Sequence, residues 1–388
     1  MMNKIDNNQV QWQLWTAAEK EKQKQKSIKE LYAQGYSAYK GADYLYAAEQ
    51  FHAASELARQ QSNKEQQCKN LVWEADCLSL AHQYKKALSV MLLAEKIGVL
   101  DPVHRFYNLV HILSASRDLS LPSAELKKLM EKLEPYKTVQ EIGGSKSMVL
   151  YWEARLLRDQ GDNHTSLLRM QEAMACQQAG APRYVDNAYY RELIECYRLT
   201  GQLSEARQTL ARWKEIINGD FADKRVSLLF AEGKLSYNEG NLDAAWDAFQ
   251  CAYAEERYIG LAGKNIGTLL WIVETGVQTG RFFEVRPYLR ALFAFRHSEC
   301  GFSRYSCCYY FFEYYYLMLK AIQRSRLECQ GNPTAYPCEL KVARKRAIKW
   351  LNRAEVYGNE LDSLQNVSWR KNKLQKMRTE IENLMETR

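Results

Sequence analysis

The side chains of this chain best suited to chemistry are ten cysteines, six histidines and one carboxylate, Glu313, set in a run of aromatics. A structural metal site needs Cys or His ligands at short, paired spacings. His297, Cys300, Cys307, Cys308, Cys329 and Cys338 come nearest, but no CxxC pair occurs among them, so no metal is expected. The segment GGSKS at 143–147 has the glycine and lysine of a phosphate loop. A Ser stands before Lys146 where that motif has Gly, and no strand leads in, so a connection between helices is expected. Cys68, Cys77, Cys176, Cys196 and Cys251 lie on helical stretches with no pairing pattern and read as reduced core residues. His52 and His82 are placed on or near hairpin turns, and His104 and His111 seven apart on one helix. None of the four has a carboxylate or nucleophile at a spacing that signals catalysis. Glu313 interrupts CCYYFFEYYYLMLK (307–320), a stretch apolar nearly all round and therefore enclosed on most sides. Burial would raise its pKa unless it is paired, so a bond to a tyrosine hydroxyl or to an arginine of an adjacent hairpin is expected. These patterns nominate no catalytic residue and no cofactor. The chemistry that remains is recognition.

The elements that would position recognising side chains follow from a period. Ala47, Ala87, Leu126, Ser166, Ala206, Ala245 and Val285 fall about forty residues apart. Four residues after the anchor comes a large apolar residue: Phe51, Met91, Met170, Leu210, Phe249 and Leu289. Seven after it stand Ala54, Ala94, Ala173, Trp213, Ala252 and Leu292. Offsets of zero, four and seven share one helix face. Twelve residues before the anchor a preceding helix carries Gly35, Ala75, Ser114, Ala154, Ile194, Gly233 or Val273. Between the two lies a short turn bearing Gly41, Gly161, Gly201, Gly240 or Gly280. The unit is thus helix A, a tight turn and helix B, with small residues letting the axes approach and large ones filling the gap.

GYSAYKGADYLYAAEQFHAA (35–54) and GKLSYNEGNLDAAWDAFQCA (233–252) carry a resemblance to tetratricopeptide repeats, with a period longer than the usual thirty-four or so residues. The resemblance implies an all-α fold, a right-handed α-solenoid or superhelix of antiparallel helix-turn-helix hairpins. It also implies that residues three before, one after and four after the small helix-A position face the concave groove. Those places hold Tyr32, Tyr36 and Tyr39 in the first unit and Tyr151, Arg155 and Arg158 in the fourth. In the fifth they hold Arg191, Glu195 and Arg198, and in the sixth Phe230, Lys234 and Tyr237. Arginine forks favour carboxylate or phosphate ligands, and tyrosines add rigid contact area. The groove is therefore expected to take a protein or peptide partner that is acidic, unless acids on adjacent hairpins neutralise it. The Lys and Asn clamp of co-chaperone repeats is missing, since Tyr32 and Tyr36 occupy the corresponding places.

Seven prolines, 46% apolar and 26% charged residues suit such an array. Its organisation reads as a polar leading helix over 1–28 with Trp12 and Trp15, and about seven hairpins over 29–300. An irregular aromatic hairpin with a Pro- and Cys-bearing loop at 328–339 follows over 301–357, and a basic capping helix over 358–388. No stretch approaches the roughly 20 apolar residues of a membrane span, and no hydrophobic signal core opens the chain, so a cytoplasmic protein without membrane contact is expected. The net charge is +8, and from Glu339 to Arg378 eleven Lys or Arg face four acids, an excess of seven. Lys341, Arg344, Lys345, Arg346, Arg370, Lys371 and Lys373 form a second candidate contact surface. The function expected is a non-catalytic scaffold or adaptor. The alternatives are a peptide-responsive regulator of a signalling protein and a nucleic-acid-associated subunit of a larger complex.

Overall fold

The first described helix begins where a capping box puts it: the Ser27 hydroxyl accepts from the Glu30 amide at 3.2 Å, and the Ser27 amide donates to Glu30 Oε2 at 2.7 Å. Asp43, Asn63, Asp162 and Asn241 likewise accept from the amide three residues on, starting four later helices after tight turns. The structure is a computed structural model that describes residues 27–41, 43–139, 142–178, 186–217, 222–258, 266–328, 337–361, 372 and 374–381. Trp12, Trp15, the 329–336 part of the Pro- and Cys-bearing loop, Arg370, Lys371 and Lys373 lie outside them.

Every regular element among the described residues is helical, and successive helices pack on one another. The chain divides into two units, with the boundary between Arg117 and Asp118. The first holds α1 (Ile28–Lys40), α2 (Tyr44–Gln60), α3 (Lys64–Leu80), α4 (Tyr84–Ile97) and nearly all of α5 (Pro102–Asp118). The second begins with α6 (Ser123–Leu133), then α7 (Ser145–Asp159), α8 (Asn163–Gln178), α9 (Asp186–Leu199) and α10 (Leu203–Ile216). It continues with α11 (Ala222–Asn238), α12 (Leu242–Tyr258), α13 (Ile266–Gln278), α14 (Arg286–Leu292), α15 (Gly301–Glu328) and α16 (Pro337–Glu360). Residues 374–381 are helical as well.

All seven anchors of the period are buried, and so are the residues four and seven places after them, except Met130, four after Leu126, which is half-buried. The ridge of helix B therefore faces its hairpin partner throughout. Gly35 and Gly233 show why the small residue is needed. A Cβ added at Gly35 would lie 3.0 Å from the Phe51 ring, and one at Gly233 only 2.6 Å from the Phe249 ring. Where the small residue is Ala154, the anchor Ser166 donates its hydroxyl to the Ala154 carbonyl at 2.7 Å. Ser114 departs from the series, being only half-buried, with Leu113 and Ala115 inside.

The turn five residues before the anchor has a left-handed backbone at Gly161, Gly201, Gly240 and Gly280. In the second hairpin that place belongs to His82, at φ 60°, which the glycine pattern did not anticipate. Gly41 is at φ −80° and supplies no such conformation.

In the second unit the A helices α7, α9, α11, α13 and α15 also touch one another in succession. Their side chains therefore share one layer. At its far end the aromatic run of α15 is enclosed as expected, with Phe311 stacked on Trp350 of α16 at 4.6 Å and Tyr309 and Phe312 fully buried. Leu361, Leu374, Met377 and Ile381 complete that core. No described helix is long and apolar enough to cross a membrane.

Candidate functional site: an aromatic and a charged cluster on the A helices

The two segments that resemble one another most in sequence build the same aromatic scaffold. Phe51 stacks on Trp73 at 5.6 Å, and Phe249 stacks on Trp271 at 5.6 Å. Tyr39 meets Trp73 edge-on at 5.5 Å, and Tyr237 meets Trp271 edge-on at 5.1 Å. Tyr32 leans on Phe51 as Phe230 leans on Phe249. The tryptophan lies on the next helix A in each case, so the scaffold joins one hairpin to its successor. The period did not single out Trp73 or Trp271; their identical offset of twenty-two residues from Phe51 and Phe249 was the signal.

The clusters differ at the place one after the small residue. In the first unit Tyr36 stands there, stacked between Tyr32 at 6.2 Å and Tyr39 at 6.4 Å with rings within 8° of parallel. Tyr36 is exposed, and Lys40 lies over its ring at 4.7 Å. The outcome is an aromatic ladder with one cation at its edge.

In the second unit the corresponding residue is Lys234, which enters an ion network. Lys234 donates to Glu195 Oε2 at 3.0 Å, and Arg198 holds both oxygens of Glu195, at 2.8 and 3.0 Å. Arg198 also donates to Asn238 at 2.9 Å and lies over Trp271 with Lys234 beside it. Burial would raise the Glu195 pKa, but the charges of Arg198 and Lys234 outweigh it and hold the carboxyl well below its usual range. Burial lowers the Lys234 pKa, with Glu195 opposing and Arg198 reinforcing the shift.

Next to this lies a second pair of helices. Arg158 donates to Glu192 and approaches Asp159 at 3.5 Å. Arg155 lies over Trp152 at 4.7 Å and donates to the Tyr151 hydroxyl at 3.3 Å. Its Nε stays 3.9 Å from Glu192, beyond hydrogen-bond reach, and is buried with no acceptor. Arg155, Arg158, Arg198 and Lys234 thus face Asp159, Glu192 and Glu195, leaving one formal positive charge in excess. The sequence places saw Glu195 as the one acid. Asp159 and Glu192 escaped because they occupy no groove place of the period. Arg191 is exposed and joins no ion pair with a described carboxylate. Tyr151 is buried, stacked on Tyr189 at 4.9 Å.

Tyr237 turns toward an acidic neighbourhood, donating to Glu274 at 2.9 Å. Burial and the charges of Glu274 and Glu313 push its pKa up. Glu313 accepts from Tyr309 at 3.3 Å, one turn earlier in α15, where a partner from an adjacent hairpin was an alternative expectation.

Other expectations need correction. His52 lies in the middle of α2, away from the turns, and its Nδ1 is 3.1 Å from Glu74. His104 is 2.7 Å from Asp101 and His111 3.4 Å from Asp76, so three histidines of the first unit face carboxylates. Cys251 is exposed and Cys176 half-buried, while Cys68, Cys77 and Cys196 are core residues. Burial pushes the Cys196 and Cys307 thiols up to about 12 and Cys308 to about 11. The GGSKS segment ends its turn at Gly144 and starts α7, where the Ser145 hydroxyl donates to the Tyr136 carbonyl and that of Ser147 to Gly144. Its hydroxyls are spent on backbone.

In comparisons with known proteins, no family model matches this chain and no curated protein matches it.

Proposed function

We propose that this protein is a non-catalytic cytoplasmic scaffold or adaptor whose hairpins are tetratricopeptide-like and wind into a right-handed superhelix. The A-helix layer of the second unit binds a protein or peptide segment bearing carboxylates. The observation that carries this reading is Arg155: a partly exposed guanidinium on the layer, backed by Trp152, whose hydrogen bond goes to the neutral Tyr151 hydroxyl and not to a carboxylate. A guanidinium without a bonded carboxylate suits an acidic ligand. The neighbouring ion pairs hold the surface rigid, so little ordering entropy opposes docking. Tyr32, Tyr36 and Tyr39 offer the first unit's contact area, rigid side chains of the kind that anchor peptides.

The test is capture on an array of acidic peptides, read by fluorescence anisotropy. Arg155→Gln should weaken binding about tenfold, the loss of a charge-assisted hydrogen bond. Arg257→Gln, exposed on the B helix α12, should leave it unchanged. Equal binding by parent and Arg155→Gln sinks the assignment of the site, and no retention of any acidic peptide sinks the partner class.

A further inference from the structure

The second unit carries a concentrated run of unneutralised charge on the outer side of α16. Between Lys341 and Arg353 this helix has Lys341, Arg344, Lys345, Arg346, Lys349 and Arg353 and not one acid. Lys341, Lys345, Arg346, Lys349 and Arg353 are exposed, and none of the six pairs with a carboxylate among the described residues. The contrast with Arg155, Arg158, Arg198 and Lys234, all beside acids, is complete. Lys341, Lys345, Lys349 and Arg353 recur every four residues, a row of cations about 18 Å long. Arg346 lies beside the row, its guanidinium bonded to the Tyr315 hydroxyl at 3.3 Å.

The inner side of α16 is already used. Ala343, Ala347, Trp350, Leu351 and Ala354 are buried in the core shared with α15. A basic helix that binds a bilayer must sink an apolar face into it, and the exposed large apolar residues described on this one are two valines fourteen places apart, Val342 and Val356. At the C-terminal end of the row stands an exposed aromatic ring. Phe293 is 38% exposed and meets Trp350 edge-on at 6.0 Å. Arg296 lies over the Phe293 ring at 3.8 Å, and Arg353 over Trp350 at 5.0 Å.

A cationic track that ends at an aromatic and arginine platform is what an extended polyanion with flat bases requires: phosphates neutralised along the track, a base stacked at its end. We propose that the outer face of α16, with Phe293 and Arg296, binds single-stranded nucleic acid. Lys341, Lys345, Lys349 and Arg353 contact phosphates, and the Phe293–Arg296 pair stacks a base. An acidic protein would satisfy the charges but has no base to stack on Phe293, which is why the ring decides between the two.

The experiment uses the full chain and fluorescein-labelled oligothymidylate and oligouridylate of about twenty nucleotides, with a duplex of equal length and polyglutamate as competing probes. Single strands should bind with an affinity that falls steeply with salt, the log–log slope near −2.8, about −0.7 for each of four phosphates. K341E/K345E/K349E should weaken binding at least about tenfold and flatten the slope by about 2. Phe293→Ala should weaken single-strand binding about fivefold or more while leaving polyglutamate binding as it was. The two strand types distinguish DNA from RNA as the source of the backbone. The changed side chains are exposed, and a thermal melt matching the parent verifies that the triple variant is folded. Three results overturn the proposal: no salt-dependent binding of either strand, unchanged binding by the folded triple variant, or polyglutamate or duplex binding as tight as single strands.

Discussion

The aromatic cluster of the first unit and the charged cluster of the second have one scaffold and opposite characters. Gly35, Phe51 and Trp73 are arranged as are Gly233, Phe249 and Trp271, down to the stacking distance of 5.6 Å. One place later in helix A, Tyr36 extends a ladder of rings where Lys234 closes an ion network. The lesson concerns division of labour. Residues buried in the hairpin set where the next helix goes, and the residue one place later on the same helix sets the chemical character of the surface. The two are separable because the core fixes positions by packing while the groove places are free to vary in charge.

The largest test of that separation is to remove the shared element. Phe249→Ala and Phe51→Ala should each cost about 3–5 kcal/mol, since both rings are wholly buried and each stacks on the following tryptophan. Urea unfolding checks this, and a cost below about 1 kcal/mol in either unit would break the equivalence of the two scaffolds.

Next in size is a change that should hurt one cluster alone. Glu195→Ala leaves Arg198 and Lys234 without their carboxylate and should cost about 3 kcal/mol or more, whereas Tyr36→Ala, exposed and uncharged, should cost about 1 kcal/mol or less. The same carboxylate has a pH signature. Its folded pKa is depressed, so its contribution is fully present above the ordinary value of 4.5 and is lost as pH falls through the lower folded value. Lys234 gives a slope of the same sign on the alkaline side. Its depressed folded pKa makes stability rise as pH climbs from that value toward 10.5. Denaturant midpoints below pH 4.5 should drop for the parent and stay flatter for Glu195→Ala.

A smaller effect distinguishes how tightly each scaffold is closed. Gly233→Ala should destabilise by about 1–2 kcal/mol, because the added methyl lies 2.6 Å from the Phe249 ring. Gly35→Ala, at 3.0 Å, should be milder, since the ring can yield a little and alanine gains up to about 1 kcal/mol in helix propensity. Calorimetric melting that ranked the two the other way would show the first hairpin to be the tighter. The smallest change is at the turn. His82→Gly should stabilise by up to about 1 kcal/mol by relieving the left-handed backbone, an amount reduced by the lost 2.7 Å contact with the Tyr84 hydroxyl. A fall in melting temperature would mean that contact outweighs the strain.

Helix order, the anchor series and the enclosure of the α15 run were legible because burial imposes a period on composition. Asp159 and Glu192, the histidine partners Glu74 and Asp76, and the approach of Phe293 to Trp350 were not. The partners stand twenty-two or more residues from the side chains they meet, apart from Asp159 beside Arg158, and two polar residues carry no periodic mark of being neighbours.

By itself, then, the sequence determined that this chain makes helical hairpins, where each turns and which residues fill the gap between its helices, since apolar periodicity is a local consequence of burial. Only the tertiary structure decided which charges are spent and which remain available. Arg155 and Arg158 of α7 and Arg198 of α9 face acids on their own or the next helix A, while the cations of α16 have no described acid opposite them. An ion pair depends on a few ångströms across the layer, and that distance is set by packing rather than by spacing along the chain.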